Sequence, residues 1–239
     1  MDRQHAKSVG DLTLEQGMYG SVSSAGDLHI VGDVDILDLK AAGDVDAKEK
    51  VLCERLRVYG EGTFRQGLTF GEAKIYGDGK IMGPFQGDVL KVYGALSFET
   101  LTVEELTVYG AIEKAMEVNA EKASFSGEVK IKESLNVGTG TFQLVGNSKI
   151  KEIYAEKLEV LSEGDLFQGI LSGLVSSGKR GTLEAELIEG DYIELENTKA
   201  KVLRGKVLRV GKGSVIERAE YSERLEVHEE AKILVKVQL

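Results

Sequence analysis

Four short segments of the chain nearly repeat: LRVYG at 56–60, AKIYG at 73–77, LKVYG at 90–94 and LTVYG at 106–110. Their starts step by 17, 17 and 16 residues. That period is too short for the common helical repeats or for a propeller blade. It suits one coil of a β-solenoid, in which a few short strands are joined by tight corners. Within each pentamer the order is apolar, polar, apolar, Tyr, Gly. Strand side chains alternate faces with a period of two, so Leu56 and Val58 share one face and Arg57 and Tyr59 the other. The glycine that follows is expected to make a corner, because glycine tolerates positive φ.

Stacking the repeats turns positions into columns. Leu56, Ala73, Leu90 and Leu106 form one inward column, and Val58, Ile75, Val92 and Val108 a second. Outside lie Arg57, Lys74, Lys91 and Thr107, next to a ladder of Tyr59, Tyr76, Tyr93 and Tyr109. A single coil cannot bury its apolar side and its rims alone, so stability has to come from stacking. The expected fold is all-β, a parallel β-helix (β-solenoid) with coils of about 16–17 residues. At that length the 239 residues make on the order of 13 coils.

Composition agrees. Glycine supplies 29 of 239 residues, about 12% against a typical ~7%. Only 1 residue is proline, as expected where backbone N–H groups are needed for ladders. A net charge of −10 and the lack of any dense Lys/Arg run argue against nucleic acid as a partner. A lone cysteine, Cys53, excludes an intrachain disulfide and fits a reducing compartment. The first residues, MDRQHAKSVGDL, hold no apolar stretch suited to a signal peptide. No run of about 20 apolar residues predicts a transmembrane segment. The expectation is a cytoplasmic protein.

Along the chain, residues 1–11 are polar and expected to fray. A main β-solenoid segment is expected over 12–171. SGLVSSGKRG, at 172–181, reads as a Gly/Ser/basic loop or linker, and alternation resumes over 182–239 as a C-terminal solenoid segment. Good helix formers gather at 151–162, but the period of two and the glycine spacing favour strand there.

No chemical constellation emerges. His5, His29 and His228 lie far apart and lack partners at ligand spacing. The acidic group Asp33, Asp35, Asp38, Asp44 and Asp46 matches neither an EF-hand loop nor the Gly-rich nonapeptide of calcium-loaded β-rolls. GDGK at 77–80 lacks the spacing of a phosphate loop. The strict six-residue repeat and junction histidine of hexapeptide acyltransferases are missing, and the coils are smaller than those of pectin lyase-like solenoids. The sequence therefore predicts no catalytic residue, no cofactor and no metal site, and no enzyme activity.

LHIVGDVDI, AKIYGDGKI and LKVYG resemble the coil pattern of the bactofilins, polymer-forming bacterial cytoskeletal proteins. Two longer stretches are similar to the longer bactofilin-like cytosolic proteins of Gram-positive bacteria. These are LTLEQGMYGSVSSAGDLHIVGDV near the start and GTLEAELIEGDYIELENTKAKVLRGKVLRVGKGSVIERAEYSERLEVHEEA near the end. The resemblance implies a right-handed parallel β-helix that polymerises end to end without bound nucleotide. It also implies partners drawn from copies of itself or from other cytoskeletal or envelope-associated proteins. Compact bactofilins are about half this length with Pro-rich tails, and some carry a membrane-targeting peptide; this chain has 1 proline and no apolar start.

The physics of an open strand edge points the same way, since an uncapped solenoid end templates further pairing. AKILVKVQL places Ile233, Val235, Val237 and Leu239 on one expected face and Leu234 on the other, and these five residues are the expected self-assembly interface. Such an end suits a closed two-fold contact or a filament. The alternative function is a solenoid binding module that recognises a protein or glycan through the outer face of Tyr59, Tyr76, Tyr93, Tyr109, Lys74 and Lys91.

Overall fold

The structure, a computed structural model, describes residues 3–162 and 181–239. Residues 172–180 of the expected loop lie outside them. No helix occurs among the described residues. The strand ladders are parallel, and strands within the stack pair with those one coil before and one coil after, as Val51–Val58 does with Val34–Ala41 and Leu68–Ile75. The chain forms two compact units, Met1–Ala120 and Glu121–Leu239, each a parallel β-solenoid.

From Val34 to Val108 the first unit keeps a regular register along its long strands. Val34 pairs with Val51, Val51 with Leu68 and Leu68 with Phe85, each a step of 17 residues. Phe85 pairs with Leu101, a step of 16. The predicted columns are the core: Leu56, Ala73, Leu90 and Leu106 are at most 2% exposed, and Val58, Ile75, Val92 and Val108 are 0% exposed. Burying one such side chain is worth about 1.5–3 kcal/mol, so a column repeated coil after coil dominates the stability.

Alternation is interrupted at regular places, and these interruptions shape the coil. In the strand Val34–Ala41 the buried residues are Val34, Ile36, Leu39 and Ala41, while Leu37 and Asp38 both face out. Two successive outward residues turn the chain onto a second face. Val45–Ala47 then buries Val45 and Ala47 on a third. Each coil thus has three short faces that each bury a pair of residues. Large and small side chains interlock between coils: a Cβ on Gly87 would meet the ring of its register partner Phe70.

The pentamer glycines serve a purpose the sequence did not suggest. The positive-φ glycines are Gly67, Gly83, Gly146 and Gly213, so Gly60, Gly77, Gly94 and Gly110 make their corners without left-handed backbone. They are required by close approach instead. A Cβ at Gly60 would lie 2.6 Å from the carbonyl oxygen of Gly43, and one at Gly77 would collide with that of Gly60. The coil spacing leaves no room for a side chain where one corner rests on the next.

Aspartates tie the same corners together. Asp11 Oδ1 accepts the Asp27 N–H, Asp27 Oδ1 that of Asp44, and Asp44 Oδ1 that of Glu61, at 2.8–3.0 Å. Asp78 does the same for Ala95 at 3.0 Å.

The amino-terminal residues differ from expectation. Within 1–11, Gln4–Ser8 is a strand paired with Gly17–Ser24. It lacks apolar alternation, but its backbone continues the ladder, and Arg3 anchors it with two hydrogen bonds to the Asp35 carboxylate, at 2.9 and 3.0 Å.

The second unit has a looser period. Leu183 pairs with Thr198, a step of 15, and Lys199 with Val215, a step of 16. Residues 151–162 belong to the strand Asn147–Ser162, so the period of two prevails over helix propensity there. Three buried polar residues, Ser148, Thr198 and Ser214, sit at one corner and bond to backbone, as where Ser148 Oγ accepts the Val129 N–H at 3.1 Å.

Candidate functional site

The strand Lys232–Gln238 forms the edge of the last described coil. It pairs in parallel with Val215–Val227 on one side and has no strand partner on the other among the described residues. Leu234 is 60% exposed, Val235 46% and Leu239 70%, while Ile233 and Val237 are half-buried. An unpaired edge bearing apolar side chains is a template for another strand.

The register corrects the expected faces of this edge. Ile233 pairs with Ile216, which is fully buried, and so lies in a core column. Val235 pairs with exposed Arg218, and Val237 with Glu220, which continues the column of exposed Arg204 and is covered by Arg204 and Arg218, so both belong to outward columns. Lys236 pairs with Ala219, which in turn pairs with Leu203; both are fully buried. A core column therefore ends in a lysine. The simple alternation fails because a corner intervenes, with Leu234 and Val235 as its two successive outward residues, like Leu37 and Asp38 in the first unit. Inward-pointing charge at an edge is one way proteins limit indiscriminate pairing.

The tyrosines stand as a ladder on the first unit. Ring centroids are 4.7 Å apart for Tyr59 and Tyr76, 4.8 Å for Tyr76 and Tyr93, and 5.3 Å for Tyr93 and Tyr109. Their planes are within 1°, 7° and 19° of parallel. The rings cover one another's faces and present edges to solvent. Lys40 Nζ lies 5.6 Å from the Tyr59 ring centroid. Lys74 is paired with Glu72 at 2.6 Å, and the hydrogen bond between them raises the lysine pKa and lowers that of the glutamate. Lys91 has no ion-pair partner among the described residues.

The acidic group is engaged throughout. Asp33 accepts the Lys50 N–H at 3.1 Å, Asp44 that of Glu61, and Asp35 holds Arg3. Asp38 pairs with Arg55 and Arg57, and Asp46 with Arg65 at 2.9 Å. Among the described residues no group of three His, Cys, Asp or Glu is placed to hold a metal ion. His5 Nδ1 lies 2.7 Å from Ser21 Oγ. The nearest acid in that column, Asp38, is the register partner of Ser21 and is tied to arginines, so it does not orient the imidazole. His228 Nδ1 accepts the Glu230 N–H at 3.1 Å in a turn. Cys53 is buried, and burial pushes its thiol pKa up to about 12.

One cluster was not legible in the sequence. Lys130, Lys132, Lys149, Lys151 and Lys201 line an open hollow of about 730 Å³ on the second unit, with Glu133, Glu184 and Glu186. Lys130 and Lys149 are register partners, but they are 19 residues apart, and the drifting period hides that.

These features define a parallel β-solenoid whose last described strand carries exposed apolar side chains. The chain is similar to two proteins of Bacillus subtilis (strain 168). It is 43% identical to the uncharacterized protein YhbE over 77 residues, 32% of this chain and 30% of that one. It is 32% identical to the uncharacterized protein YhbF over 114 residues, 48% of this chain and 40% of that one. The matched stretches thus span less than half the length of either relative. No protein-family model and no solved structure matches the chain.

Proposed function

We propose that the protein is a non-enzymatic structural scaffold that assembles with copies of itself, end to end, through the edge strand Lys232–Gln238. The observation that carries this reading is that edge: paired on one side only among the described residues, with Leu234 and Val235 exposed beside free backbone N–H and C=O groups. The resemblance of the coil pattern to polymer-forming bactofilins supports it, as does the cost of leaving apolar side chains in water at a strand edge. Lys236 in a core column opposes simple stacking of another apolar coil. The contact is therefore a backbone pairing flanked by the corner residues Leu234 and Val235. The single, buried Cys53 suits work in the cytoplasm.

The Tyr/Lys face supports partner recognition less well. A glycan or planar ligand binds aromatic residues on their faces, and in this ladder the faces are occupied by neighbouring rings. Negative-stain microscopy of the intact protein beside a version ending before Ala231 tests the proposal. Filaments or end-joined particles from the first and single particles from the second are expected. Single particles from both, across salt and concentration, would refute it.

A further inference from the structure

Over 184–226 in the second unit, five outward cations each meet a carboxylate on the neighbouring coil: Lys199 with Glu184 at 3.3 Å, Lys201 with Glu186 at 2.8 Å, Arg204 with Glu189 at 2.9 Å, Lys206 with Asp191 at 2.7 Å, and Arg209 with Glu226 at 3.0 Å. Opposite charges on facing strand positions are stabilising, and like charges there are not.

The hollow differs from that stretch. Lys130 and Lys149 face each other as register partners. Lys132 and Lys151 flank them, each two residues further along its strand. Lys151 is held by Glu133 at 2.7 Å and Lys130 by Glu128 at 2.6 Å. Lys132 and Lys149 have no carboxylate within ion-pair distance among the described residues. Glu184, the register partner of Lys149, pairs with Lys199 instead. Five lysines and three glutamates line the hollow, a local charge of 5 − 3 = +2 on a chain of −10. Its floor is apolar, with Ile131 and Ile150 in the buried core.

We propose that this hollow binds a phosphate-bearing ligand with at least two adjacent phosphates, held by Lys132 and Lys149 with Lys130 and Lys151 beside them. The backbones that carry these lysines are spaced about 4.8 Å between neighbouring coils and about 6.6 Å between alternate residues. That footprint is wider than one phosphate. Lysine serves as a point charge toward phosphate, whereas planar carboxylate recognition favours arginine, and no arginine lines the hollow. The volume falls within the usual range for small-ligand sites. The phosphates belong either to one soluble ligand or to lipid headgroups side by side in a bilayer, each supplying one.

Calorimetric titration of the intact protein with inorganic tripolyphosphate tests the soluble source. Co-sedimentation with phosphatidylcholine vesicles, with and without phosphatidic acid, tests the headgroup. Binding of either probe is expected to weaken with salt and to fall about tenfold or more, the equivalent of ~1.4 kcal/mol, in Lys132→Gln/Lys149→Gln. Lys206→Gln, whose lysine lies away from the hollow, is expected to bind as the intact protein does. Tripolyphosphate binding alone assigns a soluble ligand, and binding only to phosphatidic acid vesicles assigns a headgroup. Failure of both probes to bind overturns the proposal, as does binding insensitive to the double variant or equally reduced by Lys206→Gln. Self-association is read separately and does not enter this test.

Discussion

Gly77 and Gly83 separate two reasons for a corner glycine. At Gly77 the backbone is not left-handed, but a Cβ would collide with the Gly60 carbonyl oxygen and lie 2.7 Å from its carbon and 3.1 Å from the Tyr59 oxygen. All three contacts are rigid backbone of the coil beneath. Gly77→Ala gains about 0.4–1 kcal/mol from a less flexible unfolded chain. It loses about 1–3 kcal/mol to overpacking, because the coils must part locally. The expected net effect is a destabilisation of about 1–2 kcal/mol, and Gly77→Asn, with a larger side chain, is at least as harmful. At Gly83 the situation is reversed: φ is +82°, and the nearest atom to a Cβ is 3.2 Å away. There Asn is better tolerated than Ala, because it adopts left-handed backbone more readily. Urea unfolding of the four variants, read together with amide exchange at the affected corner, measures the ordering. Asn rescuing Gly77 but not Gly83 would refute the close-approach argument.

Further outcomes follow from the ladder, the thiol and the carboxylates. Tyr76 stacks on two rings and Tyr109 on one, so Tyr76→Ser is expected to cost about 1–2 kcal/mol in thermal unfolding and Tyr109→Ser about half that. Cys53, with its pKa pushed up to about 12 from 9.0, is expected to resist a thiol reagent at pH 8 in the folded protein and to react once unfolded. Because the raised pKa favours the neutral thiol in the folded state, its contribution is complete below pH 9 and is lost as pH rises towards about 12. Glu72, Glu186 and Glu220 are held below the ordinary glutamate range, mainly by hydrogen bonds from Lys74, from Lys201 and from Arg218 with Arg204. For Glu196, burial works the other way, but hydrogen bonds from Ser162 prevail. Their contributions are present above the unfolded glutamate pKa and disappear as pH falls through the folded values, so the melting temperature is expected to drop in acid. An unchanged melting temperature between pH 6 and pH 3 would contradict this.

Much of the fold was legible because the pentamers carry both a period and an alternation. Leu56, Val58 and their counterparts are buried, and Tyr59 and its counterparts face out, as five-residue windows suggest. Features that depend on a neighbouring coil were not legible. Gln4–Ser8 has no apolar pattern, and its strand is dictated by the ladder of Gly17–Ser24. The Asp11, Asp27 and Asp44 carboxylates cap N–H groups 16 or 17 residues away, a relation invisible until the register is known. At the carboxy-terminal edge Ile233 to Leu239 reads as plain alternation, because a corner with two outward residues looks the same over so short a span. Lys236 thereby falls in a core column and Val235 outside.

Sedimentation velocity over a rising concentration series, for the intact protein and for Leu234→Lys/Val235→Lys, tests the central claim most directly. Both residues are exposed, so the substitutions leave the coil intact. The intact protein is expected to sediment faster as concentration rises, while the double variant stays at the monomer value. Identical behaviour of the two, whether both associate or neither does, would contradict assembly through this edge.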